Sequence, residues 1–221
     1  IDLYQLHWPE RITNTFGKRD FDSSVNDKWE DNFENVLFNL KEIISSGKVR
    51  QIGISNENPW AFMKYLELSK KKLPKTITIQ NPYSLLNRLF EIGNSEICMR
   101  EDVGLLAYSP LGFGVLSGKY LNGNMPEDSR LKLFPNLSRF SGENSMKATS
   151  MYYNISKKHD MSLTQMALSF VNSRPFVTSN IIGATKLNQL KENIESINID
   201  LSEDALKDIN EVHKLIPNPA P

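Results

Sequence analysis

The feature that most constrains the fold is an alternation. Short runs rich in β-branched, aromatic and aliphatic residues (1–8, 51–55, 76–80, 105–108 and 177–182) are separated by longer stretches with helical spacing of apolar residues. Between the first two runs, Phe33, Val36, Leu37, Leu40, Ile43 and Ile44 recur three and four apart, an apolar stripe that ends at Gly47. Asn58-Pro59 reads as the N-cap and first residue of the next helix, which runs to about residue 72 with three lysines in its solvated last turn. Further helices are expected over 89–100, 143–159, 162–173, 186–196 and 202–215. Strands and helices in this order build a parallel sheet from βαβ units. The first run is expected to be a buried strand, and the connections 10–26 and 109–141 to be long loops.

Five strands could make an open doubly wound sheet. Polar or chemically capable residues, however, stand at the carboxyl end of every run: His7, Ser55-Asn56, Gln80-Asn81, Tyr108-Ser109 and Gly183-Thr185. A barrel gathers all strand ends at one mouth, whereas an open sheet gathers those beside its switch point. The α/β reading is therefore a TIM barrel. The sequence opens inside its first run, so three barrel strands are expected to precede residue 1. A chain of 221 residues is long enough for one large core.

Twenty-six basic and 26 acidic side chains leave no net charge, which argues against nucleic acid or an anionic membrane as partner. A single cysteine, Cys98, fits a reducing, cytoplasmic setting and reads as a small apolar filler on a helix. No glycine-rich phosphate loop of either usual type is present, and Gly112-Phe113-Gly114 is only a fragment of one. His7, His159 and His213 are too far apart for metal-ligand spacing, so no metal is expected. His159 and His213 sit in last helical turns, where a histidine compensates the dipole. His7, at a strand end, is the candidate for chemistry.

The segments Asp2-Leu3-Tyr4-Gln5-Leu6-His7-Trp8-Pro9, Gly53-Ile54-Ser55-Asn56, Gln80-Asn81-Pro82-Tyr83, Ala107-Tyr108-Ser109-Pro110-Leu111-Gly112 and Gly183-Ala184-Thr185 with Gln189 and Glu192-Asn193 follow in the order and spacing of the aldo-keto reductases. Ser117-Gly118-Lys119-Tyr120 with Ser129-Arg130 resembles the branch containing the bacterial Tas-type reductases and the potassium-channel β subunits. The resemblance covers essentially all of residues 1–221. It implies a (β/α)8 barrel, of which strands 4–8 and their helices are in this chain, with NADP(H) bound in extended form across the mouth.

By the same resemblance, His7 orients the substrate carbonyl. Ser55, Asn56 and Gln80 hold the nicotinamide carboxamide, for which groups that both donate and accept are suited. Tyr108 stacks on the nicotinamide. Ser109, Leu111, Gly112 and Lys119 lie beside the pyrophosphate, and Arg130 contacts the adenosine side. Gly183, Thr185, Lys186, Gln189, Glu192 and Asn193 hold the adenine and 2′-phosphate, at a helix start expected to offer orphan N–H groups. Many family members carry lysine where Gly183 stands, and Lys186 is the replacement expected here. Trp8, Phe16 and Trp29 are candidates for the substrate pocket, Trp29 equally for a core anchor.

The family's aspartate, acid tyrosine and lysine match no position in this sequence, and none of its tyrosines takes the acid's place. The resemblance implies reduction of a small-molecule aldehyde or ketone. The alternatives are a cofactor-binding regulatory subunit and an inactive piece of the enzyme. Channel β subunits carry asparagine where this chain has His7, which favours the enzyme.

Overall fold

A computed structural model describes residues 1–14 and 16–221; Thr15, within the expected loop 10–26, lies outside them. Five strands form one parallel sheet in the order β1-β2-β3-β4-β5: Leu3–Leu6, Gln51–Ser55, Thr76–Pro82, Gly104–Tyr108 and Val177–Asn180. Sequential order with helical crossovers is what consecutive strands of a barrel show. The helices are α1 (Phe33–Ser45), α2 (Pro59–Ser69), α3 (Asn94–Glu101), α4 (Arg130–Leu133), α5 (Glu143–Lys158), α6 (Leu163–Asn172), α7 (Leu187–Glu195) and α8 (Glu203–Leu215). By contact the chain divides into two compact units, Ile1–Asn81 with Phe90–Leu106, and Pro82–Leu89 with Ala107–Pro221.

In the first unit, α1 buries Phe33, Leu37 and Leu40 of the expected stripe, while Ile43 is exposed. Asn58 caps α2 by accepting from the Ala61 N–H at 3.1 Å, with Pro59 behind it as expected. Phe33 then meets Tyr65 edge-on at 4.7 Å and Trp60 at 5.7 Å, joining the two helices through aromatic contacts. Gly53 allows β2 and β3 to close: a Cβ there would lie 2.2 Å from Thr78 Oγ1 and 3.2 Å from Gln5 Cγ.

Three expectations are corrected. The first strand is shorter than 1–8 and is not buried; Ile1 is 71% and Tyr4 43% exposed. It bonds only to β2 among the described residues, so its outer edge lacks the neighbour that burial requires. The helix expected over 89–100 breaks into a 3-10 turn at Leu89–Glu91 and α3, because Gly93 (φ +97°) packs against Pro59 and interrupts the helical path. The loop 109–141 contains α4 and three 3-10 turns, wound by positive φ at Ser109, Gly112, Phe113, Gly114 and Gly118. Cys98 lies buried in α3, and burial pushes its thiol up to about 12.

The second unit packs α5 to α8 around Tyr83, Leu85, Leu86, Tyr152 and Phe170. Tyr83 stacks on Phe170 at 6.1 Å, and the Tyr152 hydroxyl donates to the Leu85 carbonyl at 3.1 Å. Ser202 caps α8 by accepting from the Ala205 N–H, and Ser162, expected inside its helix, instead caps α6 by accepting from the Gln165 N–H. His159 ends α5 with Nε2 2.9 Å from Asp208, a carboxylate that Lys158 shares.

Candidate active site

In the first unit the carboxyl ends of β1, β2 and β3 converge through one asparagine. Asn56 follows β2 in the left-handed region (φ +59°), a backbone that asparagine tolerates better than most side chains. Its Nδ2 donates to the His7 carbonyl at 2.8 Å and to Ser55 Oγ at 3.1 Å. Its backbone N–H donates to the Gln80 carbonyl at 3.1 Å, and the Ser55 hydroxyl donates to that same oxygen at 2.6 Å. His7, Ser55, Asn56 and Gln80 are thus neighbours.

The loop after His7 wraps this point. The His7 and Trp8 rings lie 4.3 Å apart, and Phe16 meets Trp8 edge-on at 6.5 Å. Trp29 belongs to the Phe33–Trp60 aromatic cluster, so its role as a core anchor is real. It also lines, with His7, Trp8 and Ser55, a cavity of about 380 Å³. The wall of that cavity holds two charges that the sequence did not mark. Arg11 and Glu57 form a buried two-pronged pair, Nη1–Oε1 at 3.1 Å and Nη2–Oε2 at 2.6 Å. The Arg11 guanidinium lies over the Trp60 and Phe33 rings at 5.2 and 5.7 Å. Burial pushes the Glu57 carboxyl up against the pull of Arg11. The pair spans 46 residues, and each member reads in sequence as an ordinary surface charge.

In the second unit, burial likewise pushes the Tyr108 phenol up, opposed by a hydrogen bond from Arg139. Arg139 Nε donates to the Pro221 carbonyl at 2.6 Å, and its guanidinium lies over Phe140. Phe140 meets Phe113 edge-on at 4.8 Å, and Arg130 covers the Phe113 ring at 4.2 Å. Tyr108, Gly112 and Arg130 are therefore joined by one chain of contacts, because Gly112 itself lies against Phe140 and a Cβ would be 3.0 Å from its ring. In the Ser109–Leu111–Gly112 turn, the Gly112 N–H donates to the Ser109 carbonyl at 2.9 Å. Lys119 folds back over Gly114, just beyond this turn, where a Cβ would sit 3.1 Å from its Nζ.

Lys186 pairs with Asp128 at 3.0 Å, both side chains exposed. The expected orphan N–H groups at the start of α7 are partly engaged. Gln189 Oε1 accepts from the N–H groups of Thr185 and Lys186, each at 3.1 Å. Glu192 accepts from the Ser162 hydroxyl at 2.5 Å, and the buried Asn193 donates to the Gly183 carbonyl at 3.3 Å. Gln189, Glu192 and Asn193 thus shape the segment, while Lys186 presents its charge. Neither Arg139 nor Asp128 carried a sequence signal.

Known proteins bear on this arrangement directly. The model of the aldo/keto reductase family matches residues 1–214. The chain belongs to that family. Among aldo/keto reductase relatives, Protein tas of Escherichia coli (strain K12) is 49% identical over 227 residues, covering 100% of this chain and 64% of that protein. The chain thus spans a little under two thirds of that relative. A protein named Aldo-keto reductase from Babesia bovis is 37% identical over 96% of this chain and 80% of its own length. L-glyceraldehyde 3-phosphate reductase of Escherichia coli (strain K12) is 35% identical over 72% of this chain and 47% of its own. No helix among the described residues is long and apolar enough to cross a membrane.

Proposed function

We propose that the full-length protein is a cytoplasmic, NADPH-dependent carbonyl reductase. Residues 1–221 would supply strands four to eight of its barrel, the histidine of its catalytic set and its cofactor-binding strand ends. The observation that carries this reading is the knot at Asn56, whose amide ties the His7 carbonyl to Ser55 while its N–H meets the Gln80 carbonyl.

The residues present fit a nicotinamide dinucleotide. Ser55, Asn56 and Gln80 gather hydroxyl and amide groups at the ends of neighbouring strands, suited to a primary amide that both donates and accepts. Gly114 leaves room for the Lys119 ammonium, a cation suited to anionic oxygens, just beyond the Ser109–Gly112 turn. When bound, the cofactor supplies the hydride. The protein's share is orientation and electrostatics. Ser55, Asn56 and Gln80 fix the carboxamide, and the Tyr108 ring offers a flat face to the nicotinamide. The His7 imidazole donates one N–H toward the carbonyl oxygen, stabilising negative charge as it develops there. Trp8 and Phe16, beside the His7 ring, would line the substrate pocket. Lys186 supplies the positive charge that distinguishes a 2′-phosphate from a hydroxyl. The substrate class is an aldehyde or ketone, in keeping with the name of the relative L-glyceraldehyde 3-phosphate reductase.

Titration of the full-length protein with NADPH should quench its Tyr and Trp fluorescence saturably, with a weaker response to NADH. His7→Ala should lower kcat for 4-nitrobenzaldehyde about a hundredfold, as loss of one charge-stabilising donor does, with the NADPH response intact. An equal response to both cofactors would sink the assignment at Lys186. Unchanged turnover in the variant would sink the one at His7.

A further inference from the structure

We infer that Glu57 is the positioning residue of the carboxamide cradle, an inference that rests on the cofactor reading above. Glu57 ties three distant segments to one point. Its carboxylate takes both prongs of Arg11, four residues beyond His7. Its backbone carbonyl accepts from Asn81 Nδ2 at 2.9 Å and from Asn94 Nδ2 at 3.2 Å. Arg11 also reaches Asn58 Oδ1 at 3.5 Å, and Asn58 Nδ2 donates to Thr13 Oγ1 at 2.9 Å, so the loop after His7 is fastened to the start of α2. Two of these residues lie next to cradle residues: Glu57 follows Asn56, and Asn81 follows Gln80.

Two physical arguments give this junction a purpose beyond stability. A buried ion pair can be exchanged for apolar side chains of similar volume at little or no loss of stability, so folding by itself does not call for one here. Asn56, meanwhile, holds a left-handed backbone, and such a conformation persists at a functional site only where its surroundings over-determine it. Upstream, Asn56 is fixed by its bonds to His7 and Gln80. Downstream, the fixing is done by Glu57. Releasing the Glu57 carboxylate from Arg11 loosens the downstream side of Asn56, and with it the amide's place in the cradle, while the backbone ties to Asn81 and Asn94 keep the fold standing.

The test compares full-length wild type, the double variant Arg11→Met/Glu57→Leu, and Asn56→Ala. Binding of NADPH and of 2′,5′-ADP, which lacks the nicotinamide, is measured by fluorescence or calorimetry, alongside the urea midpoint. The double variant should keep the wild-type midpoint and its affinity for 2′,5′-ADP. Its Kd for NADPH should rise about tenfold, the worth of one well-made hydrogen bond. Asn56→Ala should show the same selective loss. If Asn56→Ala weakens NADPH and the double variant binds it as the wild type does, Glu57 has no positioning role and the inference is overturned. If Asn56→Ala leaves NADPH binding unchanged, the cofactor reading of the cradle fails, and the inference with it. Should the double variant not fold, Glu57→Asp carries the test, since it keeps the charge and shortens the arm by one methylene. A selective loss of NADPH affinity supports the inference, and unchanged affinity refutes it.

Discussion

Two ion pairs lie beside the residues assigned to the cofactor, one in each unit, and they are built in opposite ways. Arg11 and Glu57 keep only 7% and 4% of their side-chain surface in contact with solvent, and each carboxylate oxygen meets its own guanidinium nitrogen. Lys186 and Asp128 keep 61% and 71%, joined by one contact of 3.0 Å. The first pair has surrendered its hydration and gains from geometry alone; neither partner can leave without stranding the other. The second remains hydrated and can exchange one anion for another at small cost. On the cofactor reading proposed above, the buried pair would frame the nicotinamide end in advance. Lys186 would offer the phosphate a cation on a long, flexible stem, held meanwhile by a carboxylate that a phosphate could replace.

The largest effect should come from breaking the buried pair on one side. Arg11→Met alone leaves a carboxylate buried without its partner and should cost about 3–5 kcal/mol of stability, read as a fall in the urea midpoint. A single variant as stable as the wild type would erase the contrast between the pairs. Next comes Lys186→Met, which should raise the Kd for NADPH about tenfold and leave the Kd for NADH and the urea midpoint unchanged, as loss of one charge-assisted hydrogen bond implies. Equal loss for both cofactors would move the 2′-phosphate contact elsewhere. The smallest is Asp128→Asn, which should leave the urea midpoint unchanged, because the pair is exposed and hydrated. It should tighten NADPH about twofold at low salt by releasing Lys186, a gain that fades as ionic strength rises.

The contrast also explains what the sequence could disclose. The strands and most of the helices were legible because periods of two and of 3.6 residues leave different marks on the order of apolar side chains. Strand ends were legible for the same reason, so His7, Ser55, Asn56 and Gln80 could be named before any geometry was known. The motif order of a known family added Lys119, Arg130 and Lys186, which no periodicity marks. What stayed hidden depends on contacts between residues far apart in the chain. Arg11 reads as one charge in a polar loop, and nothing near it announces Glu57. Arg139, which holds the Tyr108 hydroxyl, sits in a stretch expected to be plain loop. The break at Gly93 follows from its contact with Pro59, which no local pattern records. The exposure of β1 follows from its single neighbour, a matter of how many strands flank it rather than of its apolar composition.

Cys98 turns this framework into something that can be timed. It is the one thiol in the sequence, 2% exposed on α3, with its ionisation pushed up to about 12. A thiol reagent in solution must wait for that helix to lift, so the labelling rate is a clock for local opening. The same helix carries Asn94, whose amide ends on the Glu57 carbonyl. Ligand-dependent slowing of that clock would show, in seconds or hours, how firmly an occupied nicotinamide cradle holds the helix behind it.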